Sequence, residues 1–441
     1  MAESTLKIEH VIPHLGPTII PLYPPADKLY SLLLKCNETE RLKALLHLGA
    51  LSEALPGARH ARWDYTVSLL YYAQALKLRG MNSAFTLGRA EFSSAQAALQ
   101  TIALCWNIGH LPGTFLVEKG VYRWLHETGR KNPANELKWP KNKKNNIPHI
   151  RKQANRFLRE QDYLGVARVL AVIKLLFILD DTDNELCNVV FDFAVRFLLS
   201  YEKGDSKQWY KLSRAFTIVR HLAYLTIDIS LAGLEWCPSI PSLLRQEVNR
   251  EGTDLQELSD RIGEVLSPIE RLVYTSLYHR ETSRKEAAIV ADWVYKKLMQ
   301  SKSARAKIST WMKKGDFGDL RIGDKPASGS VEMAGSIRLR THFVGTDLSP
   351  VEIELLLRRK NFVYPLALNY QAWNSEAMIE PDELIIDGIV RQRATSSDVG
   401  RLLAWMIGQF ESPNAGADAR TTLLVLHSPD RHVACPSRQS L

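Results

Sequence analysis

From about Asp27 to Lys314 the apolar residues of this chain recur at three- and four-residue spacings, a pattern that only a helix gathers onto one face. The segments TVSLLYYAQALKL, YLGVARVLAVIKLLFIL and KEAAIVADWVYKKLM show it most clearly. Strand-type alternation is scarce before residue 325, so the body of the protein is expected to be mainly α. Residues 1–26, punctuated by Pro13, Pro17, Pro21, Pro24 and Pro25, read as an extended N-terminal arm. Residues 27–320 read as one helical domain.

After the break KKGDFGDLRIGDKPASGS the pattern changes. Short β-type runs (SGSVEM, SIRLRTHFV, TTLLVLHS) alternate with two helices, one capped by Ser349 with Pro350 at its first position and one starting near Ser397. Residues 325–441 are therefore expected to form a small α+β domain. A second interruption, Gly129 to about Pro148, is polar, basic and proline-punctuated, and reads as a surface loop. At 441 residues the chain has room for two or three such units.

Composition excludes some classes. No apolar run is long enough to cross a bilayer, and MAESTLKIEH lacks the layout of a signal peptide, so no membrane association and a cytoplasmic location are expected. The five cysteines, Cys36, Cys105, Cys187, Cys237 and Cys435, are scattered without a CxxC pair, which argues against a zinc knuckle or a disulfide framework. The first four sit in apolar surroundings and are expected to be buried thiols. The net charge of +9 permits an anionic partner without requiring one.

Two segments carry the candidate chemistry. Arg59-His60-Ala61-Arg62-Trp63-Asp64-Tyr65-Thr66-Val67 opens an amphipathic helix with a polar cluster. Ala103-Leu104-Cys105-Trp106-Asn107-Ile108-Gly109-His110-Leu111-Pro112 is a buried helix ending at Gly109-His110, where Pro112 prevents regular continuation. The pair resembles the HD-domain superfamily, specifically the dNTP triphosphohydrolases related to the sterile-alpha-motif-and-HD enzymes and to bacterial dGTP triphosphohydrolases. Those proteins carry a pattern like RFEHSLGV on one helix and ALLHDIGHGPFSH on a later one. Further along, Arg220-His221-Leu222-Ala223-Tyr224-Leu225-Thr226-Ile227-Asp228 resembles the family's DKLDYLLRD segment. ERLVYTSLYHRETSRKEAAIVADWVYKKLM resembles the helix pair that follows, and Gly315-Asp316-Phe317-Gly318-Asp319 stands where the family has an acidic turn.

The resemblance implies an HD-like helical core, and with it a divalent metal held by imidazoles and carboxylates that activates water and offsets phosphate charge. The ligand positions hold the wrong residues. The first ligand histidine corresponds to Tyr65, the His-Asp pair to Trp106 and Asn107, the distal aspartate to Arg220, and a further histidine to Phe115. An indole cannot ligate a metal and a guanidinium repels one, so neither a metal nor another cofactor is expected at these positions. The resemblance also implies nucleotide contacts: Arg62 on a phosphate, His110 in the site, Tyr224 and Asp228 facing the sugar. Arg220, a guanidinium in place of a carboxylate, would stand in for the metal's charge.

Each of these residues has a structural reading beside the functional one. Arg62 and Asp64 can form a helix-surface salt bridge, Trp106 can fill core, His110 can cap a helix end, and Asp228 can bond Arg220. His60, five residues before Tyr65, would be turned from Tyr65's helix face and is not expected to act as a displaced ligand. Asp180, Asp181 and Asp183 read as a solvated capping loop.

Three functions follow as expectations. The first is a catalytically inactive HD-phosphohydrolase-like protein that binds a nucleotide, another phosphate-rich ligand or a partner as sensor, regulator or scaffold. By analogy with the family it would be a homo-oligomer with a place in antiviral defence. The second is an active metal-dependent (deoxy)nucleotide phosphohydrolase with a rearranged site drawn from His60, Asp64, Asn107, His110 and Asp228. The third is a nucleic-acid-binding protein using two basic stretches. One holds Lys138, Lys141, Lys143, Lys144, Arg151 and Lys152 around Trp139; the other holds Lys296, Lys297, Lys302, Arg305, Lys307, Lys313 and Lys314 around Trp311.

Overall fold

A computed structural model of the chain describes residues 6–12, 15–49, 59–76, 85–87, 90–129, 132–140, 147–160, 164–179, 186, 189–200, 207–228, 260–262, 290–291, 293–314, 321–322, 325–326, 338–344, 366–369 and 421–427. The molecule is mainly α. No helix among the described residues is long and apolar enough to cross a membrane.

The N-terminal segment is extended but not a loose arm. Strands β1 (Leu6–Ile12) and β2 (Gly16–Leu22) pair antiparallel, with Leu6 opposite Leu22 and Ile12 opposite Gly16. Ile8, Ile12, Ile20 and Leu22 are buried in the common core, which anchors the hairpin to the helices. Pro17 and Pro21 lie in β2, where a two-stranded sheet leaves an open edge that tolerates their missing N–H groups. Apolar spacing outweighed proline content here.

The helical body begins with α1 (Ala26–Lys35) and α2 (Glu38–Ala44), followed by α3 (Arg62–Ala75). A short hairpin, β3 (Phe85–Leu87) with β4 (Ala90–Phe92), leads into α4 (Ala95–Trp106). Ser94 caps α4 by accepting from the Ala97 N–H, and almost every residue of that helix is buried. Then come α5 (Thr114–Gly129), α6 (Ile147–Glu160) and α7 (Leu164–Ile178). A π-helical turn, Val190–Val195, runs into α8 (Arg196–Ser200). The long α9 (Lys207–Asp228) and α10 (Ala304–Trp311) follow among the described residues. Helix α4 has no solvent-facing stripe because α3, α7 and α9 all pack on it.

The stretch from Gly129 to Pro148 departs from the expected surface loop. Pro133–Glu136 form a 3-10 turn, Ala134, Leu137 and Trp139 are buried, and the Trp139 indole N–H donates to the Ala134 carbonyl at 2.7 Å. Asn155 on α6 accepts from the Ala134 N–H at 2.7 Å, so the segment is bolted to that helix. Residues 141–146 with their lysines lie outside the described residues. Cys105 is buried as expected, but Cys36 is exposed, because it sits at the C-terminal end of α1, past the helix's buried face. Cys187, Cys237 and Cys435 lie outside the described residues.

Toward the C-terminus, Arg321–Ile322 (β5) pairs with Lys325–Pro326 (β6). A three-stranded antiparallel sheet follows, with β9 (Thr421–His427) between β7 (Arg338–Val344) and β8 (Leu366–Asn369). The runs SIRLRTHFV and TTLLVLHS supply β7 and β9. The run SGSVEM and the helices expected from Ser349 and Ser397 lie outside the described residues, as do Gly315–Asp319 and the Asp180, Asp181, Asp183 cluster.

Candidate functional site

The site grows from a short antiparallel contact between the turn after α2 and the approach to α3. The His47 N–H donates to the His60 carbonyl at 2.9 Å, and the Arg62 N–H to the Leu45 carbonyl at 2.6 Å. His47 and His60 are thereby set side by side, their ring centroids 4.8 Å apart. The turn ends at Gly49, whose φ of 56° suits glycine. A β-carbon there would collide with the Gly113 carbonyl, so this glycine lets the His47 turn lie against the loop that follows His110. That loop is fixed on its other side by Gly109, where any side chain would strike the Ala167 and Ala171 backbone of α7.

Helix α9 delivers its last residue, Asp228, to the two imidazoles. Asp228 Oδ1 is 3.3 Å from His60 Nε2 and 3.9 Å from His47 Nε2, and Asp228 is fully buried. Tyr65 packs its ring on His47 at 4.6 Å. Burial holds the His47 imidazole well below its ordinary pKa, and Arg62, His60 and His110 push the same way, so the ring is neutral at pH 7.

One turn away lies a cationic cluster built on an indole. Trp106 has the Arg168 guanidinium 4.7 Å and the Arg220 guanidinium 4.8 Å from its ring centroid, with Phe216 edge-on at 4.9 Å. Arg220 also donates to the Tyr65 hydroxyl; burial pushes that hydroxyl's pKa up, against the opposing pull of Arg220 and Arg62. Arg62 is itself buried, 5.8 Å from the Tyr65 ring centroid, and donates to the His47 carbonyl at 2.6 Å.

These contacts bear on whether the positions where the HD resemblance puts ligands could hold a metal. Trp106 offers no donor atom and faces two guanidiniums, Tyr65 is engaged by one of them, and Arg220 is a cation. Asn107 turns its amide to the Thr66 hydroxyl at 3.0 Å, tying the end of α4 to α3. The four residues do not fit a divalent ion.

Of the residues singled out for a nucleotide, Arg62, Arg220 and Asp228 converge on Tyr65, and each influences its hydroxyl. His110 is bound through Nδ1 to Glu118 at 2.8 Å, and burial followed by Arg62 lowers its pKa, against the raising effect of Glu118. It holds its loop as well as lying beside His47. Tyr224 packs against the core's margin next to His221. Asp64 is not in the site: it bonds His10 at 2.8 Å and caps α3 by accepting from the Ala61 N–H. Burial would raise the Asp64 carboxyl, but the His10 and Ala61 hydrogen bonds and the nearby His60 hold it below its ordinary value.

Two participants were not legible as such. His47 follows α2 in a plain HLG turn, and Arg168 is, with Lys174, one of two cations in the largely apolar α7; a cation in a buried helix was the available signal for the second. His60 reached the site because residues 59–60 are extended rather than helical, so the helix-face argument against it did not apply. In the basic stretches Trp139 and Trp311 are buried, which removes them as stacking platforms for nucleic-acid bases.

No family model and no curated protein matches this chain. Among solved structures it is similar to a hypothetical protein from Aquifex aeolicus, with a TM-score of 0.53 and 12% identity over 96% of this chain and 97% of that one. It is also similar to a phosphohydrolase from Bacteroides thetaiotaomicron, with a TM-score of 0.51 and 12% identity over 96% of this chain and 100% of that one. At this identity the likeness shows a shared fold.

Proposed function

We propose that this chain is an HD-phosphohydrolase-like protein that binds a nucleotide or a related phosphate-bearing ligand without hydrolysing it by the family's metal-dependent route, and so serves as a sensor, regulator or scaffold. The observation that carries this reading is Trp106 held between the guanidiniums of Arg168 and Arg220, where the HD resemblance puts a metal ligand. Positive charge is kept at that place while the coordinating atoms are gone. A guanidinium meets phosphate oxygens in a fixed fork, and its charge needs no ion to deliver it. Arg62, buried within the same cluster, adds a third cation. The fold shared with a phosphohydrolase agrees with the reading.

The test is a calorimetric screen of ribo- and deoxyribonucleoside triphosphates against the full chain, run beside a triphosphatase assay with and without chelator. Binding is expected to weaken roughly 10–100-fold in Arg220→Ala, the worth of one charge-assisted hydrogen bond. Robust hydrolysis abolished by chelator, or nucleotide affinity indifferent to Arg62 and Arg220, would overturn the reading.

A further inference from the structure

We propose that His47, His60 and Asp228 form a binding site for one divalent first-row transition-metal ion of the zinc class, displaced from the positions where the HD resemblance puts a metal. The inference goes beyond the phosphate-binding reading, and neither depends on the other.

Three separate pieces of chain meet here: the turn after α2, the extended residues before α3 and the final residue of α9. One ligand atom from each, two imidazole nitrogens and a carboxylate oxygen, lie within 4.8 Å of one another. The Asp228 oxygen is 3.3 Å from His60 and 3.9 Å from His47. A tetrahedral ion with bonds of about 2.0–2.1 Å holds its ligands about 3.3 Å apart, so the trio is already close to the spacing it would need.

The local chemistry supports coordination over a plain ion pair. Among the described residues, His47 Nδ1 and His60 Nε2 have no hydrogen-bond partner although both are buried. The 3.3 Å approach of His60 to Asp228 is not aligned as a hydrogen bond. A buried ring nitrogen without a partner is costly, and an ion bound to His60 Nε2, the nitrogen that faces Asp228, would relieve that cost there. Two imidazoles with one carboxylate select zinc, iron, cobalt or nickel over magnesium or calcium, which prefer all-oxygen shells. Three protein ligands leave a coordination position open. With a single carboxylate the loaded site keeps a positive charge, beside Arg62.

Chelator-treated full-length protein is titrated with Co²⁺ and then Zn²⁺, and bound metal is counted by elemental analysis. One equivalent per chain is expected, with the visible absorption of four- or five-coordinate cobalt. His60→Gln and Asp228→Asn should each lose it, and His149→Gln on the exposed face of α6 should keep it. Should the site variants fail to fold, X-ray absorption of the wild-type zinc form decides alone: scattering from two imidazoles supports the proposal. Substoichiometric binding by the wild type, undiminished binding by folded His60→Gln, or a zinc shell without imidazole overturns it. Nucleotide affinity of the metal-free protein is read separately.

Discussion

The Tyr72 and Thr226 hydroxyls are 2.7 Å apart in the fully buried seam between α3 and α9. Thr226 lies two residues before Asp228, so this bond sets where α9 presents its carboxylate to His47 and His60. Tyr72→Phe removes the bond while keeping the ring. The expected loss is about 1 kcal/mol in urea unfolding, together with weaker metal uptake at the trio. Unchanged stability would show that apolar packing alone positions α9.

Placing an HD-type His-Asp pair at Trp106 and Asn107 is not expected to create a metal site. Trp106→His with Asn107→Asp recreates the sequence of a metal-binding pair, yet Arg168 and Arg220 remain beside it. The double variant should gain no chelator-sensitive hydrolysis. It should also be destabilised, since Trp106 packs edge-on against Phe216 and Asn107 anchors Thr66. Metal-dependent turnover in this variant would refute the claim that the guanidiniums exclude an ion.

Behind the site runs a buried ionic network. Glu38 pairs with Arg41 and, at 2.6 Å, with Lys174; Arg41 donates to the carbonyls of Ile108 and His110, and Lys174 to that of Met312. Glu38→Gln would strand two buried cations and is expected to cost about 3–5 kcal/mol. Lys174→Met leaves the Glu38–Arg41 pair intact and should cost less, a ranking that denaturant midpoints can check.

The same lysine predicts a pH dependence. Burial, then Arg41, push the Lys174 ammonium down to about 7, against the raising effect of Glu38. Between that value and the ordinary lysine range near 10.5, the unfolded chain holds a proton that the folded chain does not. Stability from this group therefore rises as pH increases across that window, and it is lowest below pH 7. Lys174→Met should remove this part of the slope of the urea midpoint against pH.

Thiol reactivity should split the two described cysteines. Cys36 is exposed, whereas burial pushes the Cys105 thiol far above its usual range. A maleimide is expected to label Cys36 in the native protein and Cys105 only after unfolding, which peptide mapping would resolve.

The helical character of the body was readable in the sequence because spacing of apolar residues along one helix is a local property. That Tyr65, Trp106, Asn107 and Arg220 stand where the HD resemblance puts ligands was readable too, since it is a matter of residue identity. The hairpin of β1 and β2 was not, because five prolines obscured an alternation that the core then used.

Only the tertiary structure decided what the site is made of. His47, His60 and Asp228 are brought together by a backbone contact between Leu45–His47 and His60–Arg62 and by the docking of α9 on α3. Arg168 reaches Trp106 only because α7 packs across the end of α4. No spacing rule along the chain encodes such meetings, since they depend on which helix faces are buried against one another. The sequence determined which residues stand where the HD resemblance puts metal ligands; packing determined that two imidazoles and a carboxylate meet beside Tyr65, where burial leaves two ring nitrogens without a partner among the described residues.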